Sequence, residues 1–105
     1  MVWFLLLVAG AIEIVMAIAL KYTDGWTKPL PSVVAILSAL ASIFLLAHTL
    51  KTLPMGTAYA IWTGVGAIGV TLYGIFVLGE SIHFLRLLCI ALITMGVIGL
   101  RMFET

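Results

Sequence analysis

Apolar residues run along this chain in four long stretches, at about 2–21, 31–50, 55–78 and 84–103, broken by three short polar joints. Each stretch is close to the roughly 20 residues that a helix, rising about 1.5 Å per residue, needs to cross a hydrocarbon core. The first joint, from Tyr22 to Pro31, mixes turn formers and charges with Trp26, an interfacial aromatic, and belongs at a membrane surface. The second, Lys51-Thr52-Leu53-Pro54, is tight, and the third, around Gly79-Glu80-Ser81-Ile82-His83, is polar and short. The pattern predicts an all-α integral membrane protein: one domain over 1–105 with four transmembrane helices and nothing left for a soluble domain.

Composition sharpens this picture. With 65% apolar and 9% charged residues, the chain lies outside the range of soluble globular domains. Ala17-Ile18-Ala19 superficially matches a signal-peptide cleavage site, but no Lys or Arg precedes the apolar run and a glutamate sits near its middle, so the first stretch reads as a mature helix. A formal net charge of +1 gives no reason to expect a nucleic-acid partner. Cys89 is the only cysteine, which excludes an intrachain disulfide or a CxxC metal site. His48 and His83 lack partners at metal-ligand spacing, and no nucleophile constellation or phosphate-binding loop is visible. Neither an enzyme, a cofactor nor a bound metal is expected.

Charge placement carries two further expectations. With four spans, Lys51 and Arg101 fall on one side of the membrane and Lys21, Lys28 and Arg86 on the other. So small a Lys/Arg bias predicts insertion in both orientations, and hence an antiparallel, dual-topology homodimer. Gly96 and Gly99 in the fourth stretch let helices approach closely and are the expected dimer seam, although glycine is frequent in membrane helices generally.

Glu13 is the one charged residue far from a helix end. An acidic side chain near the bilayer centre costs on the order of 2.5–3.5 kcal/mol on insertion scales, so it persists where it faces protein or a water-filled cavity. Such a group holds either a proton or a cation; the alternative is a protonated structural carboxyl. On a helix Glu13 shares its face with Leu6, Ala9, Gly10, Met16, Ala17 and Leu20, and the small residues among them leave room beside it. Ser38 and Ser42 share a face of the second stretch with Ala35 and Ala39, and their hydroxyls either orient a carboxylate or ligand or bond the preceding turn. Tyr59, Trp62 and Thr63 share a face of the third stretch, where aromatic rings attract cations and polar tips can bond a carboxylate. Gly64 and Gly66 follow, and are expected to weaken that helix locally.

The segments "AGAIEIVMAIALKYTDGWTKPLPS", "KTLPMGTAYAIWTGVGA" and "GVIGL" give the chain, over essentially its whole length, a resemblance to the small multidrug resistance family of four-helix exporters. Within it, "ALKYTDGW", "LPMGTAYAIWTGVGAIG" and "LGES" are most similar to the guanidinium-exporter branch. The resemblance implies an antiparallel homodimer in a bacterial cytoplasmic (inner) membrane, exchanging protons for a small organic cation. It implies that Glu13 is the shared proton and substrate site, with Ser42, Tyr59 and Trp62 around it and Gly10 bordering the cavity. Met16 stands where that branch typically has tryptophan, and Ala39 where a larger residue is expected, often methionine. Methionine cannot donate a hydrogen bond and is flexible, so a wider site is expected, taking substituted guanidinium-type cations such as guanylurea or alkylguanidinium. The other readings are a quaternary-ammonium or polyaromatic-cation exporter of the same fold, and a non-transporting accessory subunit.

Overall fold

The computed structural model describes residues 1–103. They form four helices: α1 (Val2–Tyr22), α2 (Pro29–Thr49), α3 (Met55–Phe76) and α4 (Phe84–Phe103). All four are long and apolar enough to cross a membrane, and no strand occurs among the described residues. Helix α2 starts at Pro29 rather than at 31, because a proline in the first turn loses no intrahelical bond. Helix α3 stops at Phe76 rather than at 78, where the chain turns through Gly79 at φ +69°.

Each joint is held by its own backbone. Thr23 organises the first: its carbonyl accepts from the N–H groups of Thr27 at 2.9 Å and Lys28 at 3.1 Å. The Thr23 hydroxyl accepts from the N–H of Trp26 at 3.3 Å. Those bonds hold Asp24, Gly25 and Trp26 in successive left-handed conformations. At the start of α4, Nδ1 of His83 accepts from the N–H of Leu85 at 3.2 Å, which gives this histidine a capping role.

Packing is centred on α1, which lies against both α2 and α3, while α4 packs its backbone along α3 alone. The buried positions are mostly small: Ala9, Gly10 and Ala19 on α1, Ala35 and Ser42 on α2, Ala58, Gly64, Gly66 and Gly74 on α3. Large apolar side chains such as Phe4, Leu37, Phe44 and Met95 point outward. That distribution suits a bilayer, where lipid is as apolar as leucine and helices associate through close backbone approach. A Cβ on Gly10 would lie 2.7 Å from Val65 Cγ1, and one on Gly64 would lie 2.6 Å from Val97 Cγ2. Gly64 and Gly66 therefore do not interrupt α3, which runs continuously through both; they make room for α4 and α1.

The molecule is a slab of 43 × 35 × 17 Å. Its smallest dimension holds at most two helices of about 10 Å diameter, so one chain does not surround a chamber. No residue of α4 is buried, and the Cβ positions of Gly96 and Gly99 have no neighbour within 4 Å.

Candidate functional site

Glu13 projects from the middle of α1 towards α3. Its carboxyl rests directly on Gly66, where a Cβ would collide with Oε1 and lie 2.8 Å from Cδ. Among the described residues, Oε1 is the one buried side-chain nitrogen or oxygen without a hydrogen-bond partner. An unpaired polar atom out of water costs free energy unless something else meets it, which sets this atom apart from the other buried polar groups. Glu13 opens onto a groove of about 290 Å³ walled by Met16, Ala17, Thr63, Gly66, Ala67 and Val70.

A second constellation lies beside it. Ser42, buried, donates to the carbonyl of Ala9 at 2.7 Å and accepts from Nε1 of Trp62 at 2.8 Å. One hydroxyl thus ties α2 to α1 and α3 to α2. The Trp62 ring packs on Tyr59 with centroids 5.4 Å apart and planes tilted by 54°. Ser42 has a single proton and gives it to Ala9, so in this arrangement it does not donate to Glu13. Its bond is instead to the α1 backbone one turn before Glu13.

The sequence-derived residues thus fall into three groups. Met16 and Thr63 share the groove with Glu13. Ser42, Trp62 and Tyr59 form the hydrogen-bonded and aromatic cluster, with Tyr59 itself 56% exposed. Gly10 is buried under Val65 on the α1–α3 contact, while Ser38 and Ala39 are half-buried on α2 and do not line the groove. Sequence reasoning missed Gly66 as the seat of the carboxylate, as well as Ala67 and Val70. Their signal was present, since Gly66 and Val70 are one turn apart on one helix face, but only the docking of α1 on α3 selects that face. No group of three or more metal-ligating side chains occurs among the described residues.

Comparison with known proteins fits this architecture. The family described as Small Multidrug Resistance protein matches residues 1–93. The guanidinium exporter of Proteus vulgaris is 50% identical over 102 residues, covering 97% of this chain and 98% of its own length. The guanidinium exporters of Yersinia pestis and Escherichia coli (strain K12) are 47% and 48% identical over the same number of residues, again covering 97% of this chain and 98% and 97% of their own. These relatives are exporters rather than enzymes. With four helices long and apolar enough to cross a membrane, a carboxylate in the middle of the first, and a family match over most of its length, the chain belongs to the small multidrug resistance family of multi-pass membrane transporters.

Proposed function

We propose that this protein exports guanidinium and substituted guanidinium cations in exchange for protons, as an antiparallel homodimer with a Glu13 from each protomer at its centre. The observation that carries the reading is the buried, unpartnered Oε1 of Glu13, a residue half-way along α1 that also lines a groove. Guanidinium is planar, with paired N–H donors that match the two oxygens of a carboxylate. A proton and the cation compete for the same oxygens, so protons moving in drive cation out. That exchange requires a site open to one side at a time. The relatives named guanidinium exporters, all bacterial, support both the substrate class and a bacterial cytoplasmic membrane.

Two features support the dimer. A slab 17 Å thick leaves Glu13 on an open groove rather than in a chamber, and a second copy completes the enclosure. Along α4, Leu85, Leu88, Leu92, Met95, Gly99 and Met102 alternate at spacings of three and four and all stay outside the core of the chain, the pattern of a helix seam.

Met16 on the groove wall also favours a second reading, export of bulkier quaternary ammonium cations, because a flexible thioether adapts to varied shapes. Currents from liposomes containing only the purified protein separate the two. Guanidinium, guanylurea and an alkylguanidinium produce current that disappears in Glu13→Gln. Current with a large quaternary ammonium alone favours the second reading, and silence with every cation in folded, dimeric protein refutes both.

A further inference from the structure

A second cavity adjoins the Glu13 groove between α1 and α3. Ala17 and Val70, which wall the Glu13 groove, also wall this cavity of about 140 Å³, which continues towards the C-terminal ends of α1 and α3. Beside apolar residues such as Ile18 and Leu78, its lining includes Lys21, Tyr73, Glu80 and Arg86, so charged side chains of both signs face this cavity.

Glu80 sits there much as Glu13 sits in its groove. Its carboxyl rests on the bare backbone of Gly74, where a Cβ would lie 2.7 Å from Cδ, and its own N–H donates to the Gly74 carbonyl at 3.0 Å. Gly66 and Gly74 are a little over two turns apart on α3, so the two carboxylate seats are separated by about 12 Å of helix rise. Glu80 already holds a guanidinium group: Nη2 of Arg86 donates to its Oε1 at 2.6 Å, while Nη1 donates to the Ser81 carbonyl at 3.1 Å. Both partners remain partly exposed, 33% for Arg86 and 43% for Glu80, so the pair is open to exchange.

We propose that Glu80, seated on Gly74, is an outer binding station for guanidinium-type cations passing between the membrane surface and Glu13, with the Arg86 side chain as its tethered competitor. The proposal rests on the transport reading above. The chemistry is one of substitution: an incoming guanidinium makes the same charge-assisted bonds that Arg86 makes, and Arg86 keeps its bond to Ser81. A tether of a few residues gives Arg86 an effective concentration of the order of millimolar, so the station is weak and passes its cation on. In an inverted pair of chains, one such station stands at each face of the membrane.

Guanidinium transport currents in liposomes, recorded against concentration for wild type, Glu13→Gln, Glu80→Gln, Arg86→Gln and Lys21→Gln, test the proposal. Glu80→Gln raises KM about two- to fivefold, the factor expected of a partly exposed ion pair, and Arg86→Gln lowers it by a similar factor. Lys21→Gln, which removes a positive charge from the same cavity without touching the pair, lowers KM by less than Arg86→Gln. If Glu80→Gln and Arg86→Gln shift KM in the same direction, or neither shifts it, the pair is only a clamp on the α3–α4 joint and the outer station is refuted while the transport reading stands. If Lys21→Gln matches Arg86→Gln, the effect is one of general field, and the station is likewise refuted. Wild type without current, or Glu13→Gln with full current, overturns the transport reading and the station with it. A measurement independent of these surface variants uses the Glu13→Gln protein, in which guanidinium moves the carboxyl carbon resonance of Glu80; a resonance that stays fixed at concentrations saturating wild-type transport refutes the proposal.

Discussion

Replacing Ser42 with alanine removes the hydroxyl that joins three helices, and its cost can be apportioned from the bonds it makes. The proton of Ser42 goes to the Ala9 carbonyl at 2.7 Å, and that carbonyl, inside α1, keeps its helical N–H from Glu13 when the serine is lost. No orphan arises there. The half-buried Trp62 Nε1–H, held by Ser42 at 2.8 Å, loses its partner. Interhelical hydrogen bonds in membranes average about 0.6 kcal/mol and reach about 1.7 kcal/mol, so losing two of them, one leaving an orphan, destabilises the fold by about 1–2 kcal/mol. Trp62→Phe removes the indole donor and with it the orphan. Ser42→Ala in a Trp62→Phe background therefore costs only the Ala9 bond. The double-mutant cycle, measured by SDS-titrated unfolding in mixed micelles, should return a coupling of about 0.6–1.7 kcal/mol between the two residues. Costs that add to within about 0.3 kcal/mol would show that the two side chains act independently and would refute the linchpin role of Ser42.

Other perturbations address the carboxylate directly. Gly66→Ala favours helix by about 1 kcal/mol at that position yet places a methyl group against the Glu13 carboxyl; circular dichroism should stay helical while transport falls about tenfold or more, and a wild-type KM would remove Gly66 from the site. The proposed competition of proton and cation for Glu13 predicts that lowering the pH on the loading side raises the apparent KM for guanidinium; a KM independent of pH would refute the shared site. Met16→Trp restores a rigid donor to the groove wall and should shift preference from substituted cations towards bare guanidinium, read as a ratio of KM values in liposome currents; an unchanged ratio would mean that Met16 does not set selectivity.

Membrane physics makes some features of this protein legible without coordinates. Each apolar run must be a helix because backbone groups in lipid have no partner but their own chain, so the four spans follow from run length alone. Glu13 stands out for the same reason, since a carboxyl in mid-bilayer needs an explanation that a surface glutamate does not. Ser42 on the second helix, and Tyr59 with Trp62 on one face of the third, could be singled out as polar residues in apolar runs, while their grouping comes only from the family resemblance. A sequence records which residues share a face of one helix, but it does not record which faces meet. Only the docking of the helices decides this: α1 against α3 sets the Glu13 carboxyl on Gly66, α2 against α1 gives the Ser42 proton to Ala9 rather than to the carboxylate, and α4 against α3 makes Gly64, like Gly66, a point of close contact rather than a weak point of α3. The same docking brings Glu13 and Glu80, 67 positions apart in the chain, to neighbouring cavities that share Ala17 and Val70 as walls.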